Sequence, residues 1–89
     1  NDVAHLTRVP VSDIRGTNRR KEIVNARQLY CAAACFLYPQ KSLSEIGTII
    51  LKDHATVLYH RDDMNEKMTL KDEKSRKMVE MFRILLMPF

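Results

Sequence analysis

Two helix-start signals follow each other closely in the middle of the chain, and they constrain the fold more than any other feature. Ser42-Leu43-Ser44-Glu45 has the pattern of a capping box, with a serine N-cap and a glutamate at the third helical position. Asp53, with Thr56 three residues later, has the pattern of a second N-cap. The first helix must therefore end near Ile50, and the sequence predicts two helices joined by about three residues.

Apolar residues at helical spacing extend this prediction to an all-α fold. A long predicted helix runs from about Glu22 to Tyr38, is ended by Pro39, and should form the centre of the core. Three further helical segments are expected around it: the end of a helix at Val3–Arg8, a turn capped by Ser12 that stops at Gly16, and a last helix from about Leu70 to Leu86 with Met78, Phe82 and Leu85 facing the core.

Length and composition indicate a single domain over residues 1–89. A chain of 89 residues, 45% of them hydrophobic, can bury one core but is too short for a catalytic domain with a second domain beside it. The longest apolar run, Leu29 to Tyr38, is about half of the roughly 20 residues that a membrane-spanning helix needs, so no membrane partner is expected.

The cysteine content favours a reducing, cytoplasmic setting. Cys31 and Cys35 are too few for a disulfide framework, and no secretory signal is visible. Together with His5, His54 and His60 they lack the spacing of structural zinc sites, so no metal is expected. We expect both cysteines to be small apolar core residues.

The distribution of charge favours an anionic partner. The net charge is +4, and the excess is concentrated between Arg15 and Gln28, where five basic residues accompany one acidic residue. From Arg61 to Arg83, by contrast, basic and acidic residues alternate, as is typical of a solvated helix surface.

No motif in the chain indicates catalysis. The sequence has no P-loop of the form GxxxxGK[ST], no nucleophile elbow and no carboxylate pair. We therefore expect no enzymatic activity, no cofactor and no small-molecule substrate within this chain. Any nucleotide hydrolysis would belong to another part of a longer protein.

The two central helices have the layout of a helix-turn-helix over about residues 42–68. In such a motif the first turn of the second helix enters the major groove of DNA and displays short polar side chains. The first turns of the second helix carry mostly polar groups, namely His54, Ala55, Thr56, Tyr59 and His60. A second set should face the core: Val57, Leu58, Met64 and Met68. The expected partner is double-stranded DNA.

The string from Arg27-Gln28 through Ser42-Leu43-Ser44-Glu45-Ile46-Gly47 to Lys52-Asp53-His54-Ala55-Thr56-Val57-Leu58 resembles the carboxy-terminal DNA-binding domain of the bacterial replication initiator DnaA. The resemblance implies a helical domain akin to the Trp-repressor class that binds short asymmetric DNA boxes and follows a nucleotide-binding domain upstream. Residues 61–89 match only in helical pattern.

The resemblance also implies individual roles. Asp53 and His54 would read base edges in the major groove, since a carboxylate accepts from a cytosine amino group and an imidazole can bond guanine or adenine. Thr56 and Lys52 would bond phosphates, and Arg19 would enter an A·T-rich minor groove. Asp53 and Thr56 have a second interpretation as capping partners, and Arg19 as a solvated loop arginine.

Four further positions belong to the implied DNA-binding set. Arg27 and Gln28 would contact phosphates from the start of the central helix, or else be ordinary surface residues of it. Ser42 and Leu43 would contribute from the start of the first helix of the helix-turn-helix.

Three departures from the family pattern bear on function. Ala55 replaces a serine or threonine and so loses a hydroxyl, the turn is one residue shorter and lacks a glycine pair, and Cys35 stands where some members have a lysine that contacts phosphate. Two alternatives stay open: a stand-alone regulator from a phage or mobile element that uses the same reader, and a protein-interaction module that has lost DNA binding.

Overall fold

The structure is a computed structural model that describes residues 2–70 and 73–87. Within these ranges the chain forms six α-helices and a short 3₁₀ turn, with no strand, which confirms the all-α prediction. In chain order the helices are α1 (Asp2–Thr7), α2 (Val11–Arg15), α3 (Lys21–Leu37), α4 (Leu43–Ile49), α5 (His54–Leu70) and α6 (Arg76–Leu86).

Helix α3 is the centre of the fold, as its apolar sequence predicts. It packs against each of the other five described helices, and α4 packs against α5 beside it. The largest fully buried side chains come from α3 and from the elements around it, namely Ile14, Leu29, Cys31, Ile50, Val57 and Met64. The helix-turn-helix of α4 and α5 is therefore built directly onto the core.

The capping predictions at the helix-turn-helix are confirmed. At the start of α4, the Ser42 side chain accepts from the Glu45 backbone N–H and the Glu45 carboxylate accepts from the Ser42 backbone N–H, each at 3.1 Å. At the start of α5, the Asp53 carboxylate accepts from the Thr56 backbone N–H at 2.9 Å. Both starts are fixed by side chains only three residues from their partners.

Two of the boundary predictions are wrong. Ser12 lies inside α2, whose N-cap is Pro10 without a side-chain cap, because the fixed φ of proline suits a helix start. Leu70 belongs to the end of α5, since neither glycine nor proline interrupts residues 61–70, and α6 begins only at Arg76 after a 3₁₀ turn over Glu73–Ser75. Residues 71 and 72 lie outside the described ranges.

The inward faces of α3 and α6 agree with the sequence pattern. Met78 and Phe82 are buried and Leu85 packs against the core. Cys31 is buried, which raises the pKa of its thiol to about 12, and Cys35 is half-buried; neither forms a disulfide.

Among the described residues, no group of three or more potential ligands is placed to hold a metal ion. None of the described helices is long and apolar enough to cross a membrane.

The turn between α4 and α5 depends on Gly47. A Cβ at this position would lie 2.4 Å from the carbonyl oxygen of Lys52 and 3.1 Å from Cγ2 of Val57. The Gly47 carbonyl also accepts from the Lys52 backbone N–H at 2.9 Å. The chain therefore folds back on Gly47 so closely that no side chain fits there, and Leu51 completes the turn with a φ of 60°.

Candidate nucleic-acid interface

The first turn of α5 is displayed to solvent. Asp53, His54 and Ala55 are exposed and Thr56 is half-buried. The hydrogen bond from the Thr56 backbone N–H lowers the pKa of the Asp53 carboxyl, so Asp53 is a charged acceptor at neutral pH. These four consecutive residues lie at the positive, amino-terminal end of α5, and three of them carry polar side chains.

The outward face of α5 continues beyond this turn with Tyr59, which was expected among the polar first turns of the helix, and with Leu58, which was expected to face the core. Tyr59, four residues after Ala55, is 65% exposed, and Leu58, expected in the core, is 36% exposed. Their spacing from Ala55 is the signal that points to a shared helix face. Further along, the exposed carboxylates Asp62 and Glu66 end the part of this face that suits a polyanion.

The start of α4 borders a groove that is also lined by Cys35 and Arg61, and Arg61 lies about two turns beyond the start of α5. Ser42 is exposed, and its hydroxyl oxygen is already an acceptor in the capping box. The backbone N–H of Ser42 lowers the pKa of the Glu45 carboxyl in return. Leu43 is half-buried and packs against the core. Both residues therefore have structural roles in the free chain, and a DNA contact at either stays a prediction.

Lys52 does not extend freely toward solvent. Its ammonium group donates to the carbonyl oxygens of Gly16 at 2.6 Å and Arg15 at 3.3 Å, both at the end of α2. Carbonyls at the end of a helix lack partners within it and carry partial negative charge, which suits a lysine. The structure thus gives Lys52 an intramolecular partner that the sequence pattern does not reveal.

Arg19 lies in the connection between α2 and α3. Its side chain is exposed and forms no hydrogen bond or ion pair with the described residues. On either side the backbone is held, because the Asn18 side chain accepts from the Arg20 backbone N–H at 2.8 Å. Arg19 is accessible to an anionic partner, as the sequence analysis requires, and a minor-groove contact stays a prediction.

Arg27 is placed differently from the sequence-based expectation. It is 6% exposed, and its guanidinium donates to the carbonyls of Ile14 at 2.9 Å and Gly16 at 3.0 Å, with longer bonds to Asp13 and Asn18. A guanidinium buried among four carbonyls is not presented to phosphate, so this placement disagrees with a phosphate contact. Because Arg27 is buried, the alternative that it is an ordinary surface residue of the helix is also wrong.

Gln28 is also buried and forms a polar bridge to α5. Its amide donates to Asp63 at 2.6 Å and accepts from Lys67 at 2.5 Å, and Lys67 lies 3.2 Å from Asp63. The hydrogen bond from Gln28 lowers the pKa of the Asp63 carboxyl. Gln28 therefore links α3 to α5 inside the protein, and its placement likewise disagrees with a phosphate contact.

His60 lies beneath the exposed surface and not on it. The residue is 5% exposed, and its Nδ1 has no hydrogen-bond partner among the described residues. Burial, with the charge of Arg27, lowers the pKa of the imidazole, so the ring is neutral at pH 7. The expectation that His60 belongs to the displayed polar turn is wrong, because α5 rotates it toward α3.

A short helix, a tight turn and a second helix with an exposed polar first turn define a helix-turn-helix of the DNA-binding type. The family described as the bacterial DnaA protein helix-turn-helix matches residues 1–63. Over 80 residues the chain is 38% identical to the chromosomal replication initiator protein DnaA of Picosynechococcus sp., an alignment that covers 85% of this chain and 17% of that protein. The chain therefore belongs to the bacterial DnaA helix-turn-helix family, whose members bind DNA in replication initiation.

Proposed function

We propose that this chain binds double-stranded DNA in a DnaA-box-like manner, with the first turn of α5 in the major groove and Arg19 in the adjacent minor groove. One observation carries the proposal: Asp53, His54 and Ala55 are all exposed at the amino-terminal end of α5. The same helix is fixed from behind by Val57, which is fully buried. A rigid helix with a displayed first turn is what base reading requires.

Electrostatics support this orientation. Four exposed cations lie between the end of α2 and the start of α3, namely Arg15, Arg19, Arg20 and Lys21. The ion pair of Arg20 with Glu22 is 4.0 Å long and fully on the surface, so it leaves that charge available. Phosphate attraction would come from this connection and from the amino-terminal end of α5.

The individual roles at the base edges follow from the chemistry of the displayed groups. The Asp53 carboxylate accepts from a cytosine amino group while it keeps its cap bond, and the His54 ring bonds a purine edge. The Ala55 methyl suits a thymine methyl, and the Thr56 hydroxyl suits a phosphate. Tyr59 and Leu58 extend the apolar part of the same face.

The test of DNA binding is a titration of the 89-residue chain with a DnaA-box duplex and a scrambled duplex of equal length, at several salt concentrations. We expect the affinity for both to fall with salt and the box to bind more tightly. Absence of binding at low salt would contradict DNA binding and favour the protein-interaction alternative. Equal affinity for both duplexes would leave DNA binding in place and remove box recognition.

The test of base reading is His54→Ala, with His5→Ala as the matched control because His5 is an exposed histidine on α1. His54→Ala should cost about 1 to 3 kcal/mol on the preferred duplex and little on the scrambled one. His5→Ala should change neither. An unchanged sequence preference in His54→Ala would show that base reading is assigned to the wrong residue.

The biological setting is part of the proposal. The chain spans 17% of the length of the initiator that it matches, so we propose a module of a longer protein with a nucleotide-binding domain upstream and no catalytic step in this chain. A stand-alone cytoplasmic regulator would use the same surface. The coding sequence upstream of the Asn1 codon would distinguish a module of a longer protein from a stand-alone regulator.

A further inference from the structure

Two reciprocal contacts join the end of α2 to the turn between α4 and α5. Lys52 donates from the turn to the carbonyls of Gly16 at 2.6 Å and Arg15 at 3.3 Å. In the opposite direction, the Arg15 side chain donates to the carbonyl of Ile49, the last residue of α4, at 2.8 Å. Each backbone end is thus held by a cation from the other.

The Gly16 carbonyl accepts from two cations at once. Besides Lys52, the buried guanidinium of Arg27 donates to it at 3.0 Å and also reaches the carbonyl of Asn18 at 3.4 Å. Charge-assisted hydrogen bonds of this kind are stronger than neutral ones. The start of the connection to α3 is therefore fixed to both the core and the helix-turn-helix.

Further hydrogen bonds hold the backbone at both ends of the Lys52 contact. The Lys52 backbone is bonded to Gly47 and packed against it, one residue before the cap of α5. At the other end, Arg19 is three residues beyond Gly16 and directly follows Asn18, whose side chain caps the backbone of Arg20. A single ammonium group thus connects the beginning of α5, the recognition helix of the proposed complex, to the segment that carries Arg19.

We propose that Lys52 is a positioning residue that sets the distance between the Arg19 segment and the recognition helix, so that both grooves are met in register. Its ammonium group donates to backbone carbonyls and does not serve as a phosphate contact. The effect of Lys52 on DNA binding rests on the proposed function. The proposed immobilisation of residues 16–20 does not depend on DNA and is tested in the free chain.

The two roles for Lys52 give opposite results in a double-mutant cycle with Arg19. Lys52→Met, Arg19→Ala and the double variant are titrated with the box duplex across a range of salt. A positioning residue has nothing left to position once Arg19 is removed, so Lys52→Met should weaken binding about three- to tenfold in the original chain and much less in the Arg19→Ala background. A phosphate contact would give equal losses in both.

The salt dependence gives an independent measure. In the Arg19→Ala background, Lys52→Met should leave the slope of log affinity against log salt unchanged, whereas loss of a phosphate contact would reduce it by about 0.9. Lys77→Met on α6 is the charge-matched control, because Lys77 is exposed and forms no hydrogen bond with the described residues. If Lys52→Met does not fold, Lys52→Gln replaces it.

Amide hydrogen exchange of the free chain separates this inference from the proposed function. Lys52→Met should accelerate exchange across residues 16–20 while Lys77→Met leaves it unchanged. Unchanged exchange, or equal losses in the cycle, would overturn the positioning role. If the original chain binds no duplex at all, the proposed function fails, and the exchange measurement still decides whether Lys52 holds the segment.

Discussion

Replacing Gly47 by alanine should destabilise the domain, although alanine is the better helix former and Gly47 lies inside α4. The new Cβ would lie 2.4 Å from the carbonyl oxygen of Lys52, 3.1 Å from Cγ2 of Val57 and 3.2 Å from the carbonyl oxygen of Asp53. Two of these three atoms belong to the backbone of the turn. They cannot rotate away as a flexible side chain would, so the turn itself must shift.

The expected size follows from two opposing contributions. Overpacking costs about 1–3 kcal/mol, and contact with a fixed backbone atom favours the upper end. Alanine in place of glycine recovers about 1 kcal/mol of helix propensity. The net loss in free energy of unfolding should therefore be about 2 kcal/mol, from the difference between about 3 and about 1.

The chain contains one other glycine, which provides a matched control. A Cβ at Gly16 would lie 3.4 Å from the Ser12 carbonyl and 3.5 Å from that of Asp13, which are ordinary contacts, and its φ of −76° suits any residue. Gly16→Ala should stabilise the domain by about 0.4–1 kcal/mol through the unfolded chain. Urea unfolding followed by circular dichroism measures both. A Gly47→Ala variant as stable as the original chain would refute the argument from close approach.

Three further predictions concern the polar residues around the recognition helix. Arg27→Met should lower the free energy of unfolding by about 3 kcal/mol without any DNA present, because it removes four hydrogen bonds and deprives the Ile14 and Asn18 carbonyls of their side-chain donor. Arg19→Met should change the free energy of unfolding by less than about 0.5 kcal/mol, because Arg19 is exposed. Equal effects of the two variants in urea unfolding would contradict the burial argument. Because the pKa of His60 is lowered in the folded chain, the stability that its neutral ring contributes is complete above about pH 6.5 and is lost as the pH falls through the folded-state pKa. The free energy of unfolding measured from pH 7.5 to 5 should therefore show a decline that His60→Gln lacks. Tyr59→Ala should weaken binding to the preferred duplex with little change in melting temperature, because the residue is 65% exposed. If a sequence selection with this variant gives the same preference as the original chain, Tyr59 does not contribute to base reading.

The local features of this protein could be predicted from its sequence. The capping box at Ser42 and the cap at Asp53 involve partners three residues apart, so the sequence pattern contains both the donor and the acceptor. The central helix and the inward-facing Met78 and Phe82 follow from helical spacing for the same reason. Exposure of the first turn of α5 followed from the position of its cap.

Only the tertiary structure decided which polar side chains remain available to a partner. Lys52 bonds a carbonyl 36 residues away, Arg27 one 13 residues away, and Gln28 a carboxylate 35 residues away. Every residue of a chain offers the same backbone carbonyl, so no pattern of side chains indicates which of them a cation will reach. Packing of α3 against α2 and α5 makes that choice, and it gives intramolecular partners to three residues whose sequence positions resemble those of phosphate contacts.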